Sequence, residues 1–268
     1  MSDFLQQMAT LSAERAAAAG SIRERDLDKA VAPLQLGAFD IIAEIKGRSP
    51  AEGALAGADL DRRAQARQYA AGGAAAISVL TEPSRFDGAL EHLVAVAAAV
   101  PDTPVMRKDF LVEPVQVLEA RKAGASGVLL IAAMLPDEKL RAMLDAAFEL
   151  GMFVLLEAFD EDDLARSAAL LENPTDRDRA AAGQLLVGVN TRNLRTLDVD
   201  PGRLQRLAPL LPDAPCVAES GLTTADDAAA AAGWGYGLAL VGSALMRSDD
   251  PAGLVAAMRA AGSARVAA

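Results

Sequence analysis

Eight short, continuously apolar runs alternate with helix-like stretches between residues 40 and 260, and nothing else in the chain limits its fold so strongly. The runs lie near 40–46, 74–80, 103–108, 125–133, 152–158, 184–190, 214–220 and 237–243. A strand with one wet face alternates apolar and polar residues. These runs do not, so both faces are covered, as in an all-parallel sheet flanked by helices. Helical patterns follow every run, near 60–71, 89–99, up to Lys122, 136–150, 161–171, 201–208, 224–232 and 251–260, supplying the crossovers that parallel strands need. Eight such units predict a closed α/β barrel, the (β/α)8 TIM barrel. An open doubly wound sheet is the competing fold. It would carry a glycine fingerprint after its first strand, whereas GWGYG at 233–237 precedes a strand and reads as a loop.

An amphipathic helix is predicted over 3–19, with Phe4, Leu5, Met8 and Leu11 on one side. Residues 1–38 thus read as an N-terminal helical extension of a single barrel domain spanning 1–268. The segment ENPTDRDRAAAG, 172–183, reads as an exposed, mobile polar excursion without chemistry.

The 268 residues are 52% hydrophobic and 24% charged, ordinary for a chain with a sizeable core. The net charge of −11 argues against general nucleic-acid binding, because phosphate backbones attract basic surfaces. One cysteine, Cys216, and one histidine, His92, exclude an intrachain disulfide, a Cys-rich zinc site and a two-His metal site. His92, in GALEHLVAVAAAV, reads as a surface or helix-end residue. No run approaches the roughly 18 apolar residues of a membrane span, and the first twenty residues lack the pattern of a signal peptide. The expectation is a cytoplasmic protein, a monomer or weak dimer, without membrane or nucleic-acid partners.

Barrels of this type place their active sites at the C-terminal ends of the strands. The first strand ends with Glu44 and Lys46, two residues apart and so on one face. Alone, that pair is equally well a structural ion pair. However, the third strand ends with Lys108, the fifth with Glu157, the sixth with Asn190 followed by Arg192, and the seventh with Glu219 and Ser220. Several charges converging on one mouth do not suit a packed core. Lysines among glutamates in a low-dielectric pocket can hold one another ionised or supply a poised acid and base. Gly221 after the seventh strand, and Gly242 with Ser243 after the eighth, stand where such barrels often cradle a phosphate. A tight turn explains each one equally well. Arg107 alternates with Lys108 and should face the helix layer. Pro50, Phe86 and Phe110 fall in loops beside the mouth, either as a wall for an aromatic ring or as anchors packing on the barrel.

The segments IIAEIKGRSPAEG, ISVLTEPSRFDG, PVMRKDFLVEPVQVLEARKAGASGVLLIAAML, LVGVNTRNL, VAESG and LVGSALM run in that order from about residue 39 to 250. Together they resemble the indole-3-glycerol phosphate synthase family. The resemblance implies a decarboxylating, dehydrating ring closure in tryptophan biosynthesis, with a phosphorylated small molecule as substrate and no cofactor or metal. It implies Lys108 as general acid, Glu157 as base in the dehydration, Lys46 on the substrate carboxylate and Glu44 orienting Lys46. Asn190, Glu219 and Ser220 would bind substrate hydroxyls or orient the lysines. Arg192, Gly221, Gly242 and Ser243 would serve the phosphate, and Ser49, Pro50, Phe86 and Phe110 the entrance and the ring. Two departures from the family pattern are visible. Ala158 and Phe159 follow Glu157 in place of valine and histidine, and Thr191 follows Asn190 in place of a second asparagine. A sister isomerase, phosphoribosylanthranilate isomerase, would want a cysteine at the first strand. A non-catalytic phosphate-sugar-binding barrel would not need Lys46, Lys108 and Glu157 together.

Overall fold

The computed structural model describes residues 3–23, 26–28, 30–49, 53–55, 60–195 and 198–267. Eight strands form the wall of a closed, all-parallel barrel. They are β1 (Asp40–Ile45), β2 (Ala76–Leu80), β3 (Val105–Lys108), β4 (Gly127–Ile131), β5 (Phe153–Ala158), β6 (Leu185–Asn190), β7 (Cys216–Glu219) and β8 (Leu238–Val241). Their residues are buried almost throughout, because side chains fill the barrel inside and helices cover it outside. The ring closes where β1 pairs with β8, from Asp40 opposite Leu238 to Ala43 opposite Val241. The last helix, Pro251–Val266, fastens that seam from outside. A Cβ on its Gly262 would overlap the Phe39 ring, and Arg259 Nε lies 2.9 Å from Asp40 Oδ1.

The N-terminal helix, Asp3–Ala17, buries Leu5, Met8, Ser12 and Ala16 against the barrel, with Phe4 and Leu11 partly covered. Ser12 accepts from Gln116 Nε2 at 2.8 Å through its hydroxyl, and Arg15 Nη2 lies 2.7 Å from Asp109 Oδ1. The helix is therefore latched beside the third strand end. The predicted loop after β2 contains a helical turn, Pro83–Phe86, whose first amides are capped by Glu82. Proline at its start and an acceptor before it explain the turn, which is too short for a periodic signal.

The segment 172–183 is largely exposed, as expected, but it is not irregular. Pro174–Ala181 form a helix capped by Asn173, with Asp176 and Ala180 buried. Asp176 accepts from Arg141 Nη1 at 2.6 Å and from Arg179 Nη1 at 3.0 Å. A carboxylate so paired can be buried, so a charge-rich segment need not be a solvated one.

Candidate active site

Lys108, at the end of β3, faces the barrel axis with its side chain 15% exposed. Its Nζ lies 3.2 Å from Glu157 Oε2 and 3.3 Å from Glu219 Oε2. Both carboxylates are 1% exposed. Burial works against the Lys108 charge, but Glu157, Glu219 and Glu44 outweigh it and raise its pKa above that of an ordinary lysine. Lys108 is therefore held in its charged form. Arg107 points the other way, as alternation requires, and donates to Thr81 Oγ1 and the Gln116 carbonyl.

Lys46 Nζ lies 2.8 Å from Glu44 Oε1. Burial opposes the Glu44 charge, but Lys46 and Lys108 outweigh it and hold the carboxyl below the usual carboxylate range. Gly242 makes room for this pair. A Cβ there would overlap Glu44 Oε1 and stand 2.9 Å from Lys46 Nζ. At the end of β6, Asn190 Oδ1 accepts from the Arg192 amide at 2.9 Å. Buried Arg203 donates to the Asn190 and Thr191 carbonyls and fixes that strand end. Beyond β7, Ser220 and Gly221 both adopt positive φ, 66° and 81°. A serine tolerates that region poorly, so the backbone is held open by the structure around it.

These groups line one cavity of ≈ 760 Å³, large enough for a phosphorylated, ring-bearing metabolite. Glu44, Lys46, Lys108, Glu157, Asn190 and Glu219 form its polar floor. Arg192, Ser220, Gly221, Gly242 and Ser243 gather on one side. Phe86 and Phe110 stand on another, their ring centres 6.0 Å apart. Leu129, Ile131 and Leu240 supply apolar surface between them. Ser49 pairs with Gly53 in a two-residue antiparallel ribbon. Pro50 lies outside the described residues.

Among the lining residues that the sequence does not single out are Phe4, Arg247 and Asp109. Phe4 meets Phe110 edge to face at 5.9 Å, extending the aromatic wall from the N-terminal helix. Its partner is about a hundred positions away, so no local signal could link them. Arg247 closes the short helix Ser243–Arg247 after β8 and adds a second arginine to the Gly242 side. Asp109 also lines the cavity, and its Oδ2 accepts from Thr81 Oγ1 at 2.8 Å.

The departure after Glu157 is absorbed by packing, whereas the Thr191 hydroxyl is buried without a hydrogen-bond partner among the described residues. Ala158 and Phe159 are fully buried, and the Arg195 guanidinium lies 5.6 Å from the Phe159 ring centre. The Thr191 amide donates to the Glu219 carbonyl at 3.0 Å. Cys216 opens β7, far from the charged strand ends, and burial pushes its thiol up to about 12. It is a packing residue without the thiolate character a nucleophile needs.

The fold and the site define a (β/α)8-barrel enzyme with a charged cavity at the C-terminal ends of its strands. A family model of indole-3-glycerol phosphate synthase matches residues 5–258. The indole-3-glycerol phosphate synthase of a Nocardioides species is 51% identical over 219 residues, covering 81% of this chain and 79% of its own. That of a Parafrankia species is 44% identical over 255 residues, covering 93% and 90%. The chain belongs to the indole-3-glycerol phosphate synthase family. Among solved structures, 3-hexulose-6-phosphate synthase from Salmonella typhimurium superposes with a TM-score of 0.61 at 18% identity, covering 83% of this chain and 98% of its own. Thiamine phosphate pyrophosphorylase from Pyrococcus furiosus gives 0.57 at 15%, covering 85% and 96%. These share the barrel fold.

Proposed function

We propose that this chain, acting as one domain and without a cofactor, closes the indole ring. It converts 1-(2-carboxyphenylamino)-1-deoxyribulose 5-phosphate to indole-3-glycerol phosphate, carbon dioxide and water. The observation that carries the reading is the single lysine ammonium seated on two buried glutamates at the floor of an aromatic-walled cavity. Lys108 protonates the substrate carbonyl oxygen as the ring carbon attacks. Carbon dioxide then leaves and the ring regains aromaticity. Glu157 accepts the proton lost in dehydration. Lys46, oriented by Glu44, holds the substrate carboxylate, while Asn190, Glu219 and Ser220 bind hydroxyls or orient the lysines. Arg192, Gly221, Gly242 and Ser243 take the phosphate. Phe86 and Phe110 flank the aromatic ring, with Ser49 and Pro50 at the entrance. The proposal includes a cytoplasmic monomer or weak dimer; among the described residues no helix is long and apolar enough to cross a membrane.

The test is turnover of the carboxyphenylamino substrate, followed by the rise of indole fluorescence. The single tryptophan, Trp234, keeps the background low. Tight binding without product would favour the non-catalytic barrel, and no binding would reject the assignment.

A further inference from the structure

Strand β6 runs between β5 and β7, and its residue level with Glu157 is Gly188. A Cβ on Gly188 would overlap Glu219 Oε1 and stand 3.1 Å from Leu155 Cδ1. The missing side chain is thus the gap through which Glu219, one strand further on, leans towards Glu157. One oxygen of each carboxyl rests on Lys108 Nζ. The other oxygens, Glu157 Oε1 and Glu219 Oε1, are buried and receive no hydrogen bond from any described residue. Both carboxyls rest on the same ammonium, and Glu219 occupies the gap at Gly188, level with Glu157, so the two lie side by side. Buried acceptors without a donor are rare, and two carboxylates this close resist carrying full charge together. A single proton between the two Oε1 atoms satisfies both.

We infer that Glu157 and Glu219 share one proton in the resting enzyme, across the gap left by Gly188, and that this proton recharges Lys108 between ring closure and dehydration. The groups facing the pair fit this charge state. Lys108 reaches it from β3, and Glu44, on β1, sits close enough to act on Lys108 while held by Lys46. With one proton on the dyad, two ammonium charges face two carboxylate charges. Burial pushes Glu219 well above the usual carboxylate range; Lys108 pulls it back, and Glu157 adds to the rise.

The relay rests on the ring closure proposed above, and its protons balance. Decarboxylation and dehydration of a carboxylate substrate together take up one proton. Lys108 gives its first proton to the carbonyl oxygen and becomes neutral. The dyad proton then passes from Glu219 to Lys108. Lys108 gives it up again as the hydroxyl departs as water, while Glu157 takes the proton leaving the ring carbon. That proton restores the shared dyad, and one proton from solvent restores Lys108.

Infrared difference spectra of the resting protein, without substrate, test the dyad independently of turnover. With carbon-13-labelled glutamate, wild type minus Glu219→Gln at pH 7 should contain a protonated-carboxyl C=O stretch. Carboxylate bands alone would overturn the shared proton. The Glu219→Gln amide can still donate to Glu157 but cannot release a proton, so its turnover should fall by ~10²-fold or more with KM little changed. Wild-type turnover in that variant would overturn the relay while leaving the dyad standing. Gly188→Ala, which fills the gap, should lose both the band and the turnover. If wild type makes no indole product yet keeps the band, the ring-closing reading fails and the dyad survives.

Discussion

At the scale of single residues, Lys108 carries the heaviest demand. Lys108→Met keeps the bulk of the side chain and removes its proton. Turnover should fall by ~10²–10⁴-fold, the usual contribution of a positioned acid, while substrate affinity by calorimetry changes far less. Near-normal turnover would remove Lys108 from the chemistry. Glu219 leaves a different signature, on stability. Its folded pKa is raised, so above the unfolded value of about 4.3 the folded protein holds a proton that the unfolded chain has lost. Wild-type stability from this group therefore declines as pH rises from that value towards the folded pKa. Glu44 has the opposite sense, whereas Lys108 shares that of Glu219 in a far more alkaline window. The depressed Glu44 stabilises above about pH 4.3 and loses that as pH falls, and the raised Lys108 stabilises below about pH 10.4. Glu219→Gln should thus gain melting temperature relative to wild type between pH 4.5 and 7. A difference independent of pH would contradict the raised Glu219. The charged floor was legible in the sequence because a strand ending in a barrel mouth fixes its last inward side chain by register. Gly188 was not, since its effect lies in what Glu219 does one strand away.

At the scale of elements, the eight strands were readable because each is buried on both faces and so lacks polar interruptions. The helix Pro174–Ala181 was missed for the complementary reason. Its charges looked like a solvated surface, yet Asp176 is buried between two arginines. Asp176→Ala should lower stability by about 1–3 kcal/mol, the cost of stranding buried hydrogen-bonding groups. For a chain this long, a shift of about 2–4 °C in Tm per kcal/mol follows. Indole production should stay at the wild-type rate, since this helix lines no part of the cavity. A fall in kcat at full stability would mean that the segment reaches the mouth after all. The aromatic wall was half legible: Phe86 and Phe110 declared themselves in loops, but Phe4 joins them only because the N-terminal helix is latched by Ser12 and Arg15.

At the scale of the whole molecule, a net charge of −11 surrounds a mouth whose lysines are already matched by glutamates. An anionic substrate is then repelled at long range and attracted at short range, by Lys46 and by the arginines lining the cavity. Salt shortens the Debye length from about 30 Å at 0.01 M to about 8 Å at 0.15 M, which screens the distant repulsion first. The kcat/KM for the phosphorylated substrate should therefore rise or hold across that range of sodium chloride; a steep decline would indicate attraction by the molecule as a whole. The seam between β1 and β8 has its own consequence for how the protein is born. Glu44 and Lys46 leave the ribosome long before the wall that seats them, Val241 and Gly242. Until then the nascent chain presents β1 as an open edge, available to any other strand in the cell. Chaperone occupancy on translating ribosomes should accordingly persist until β8 has emerged and drop sharply once the ring can shut.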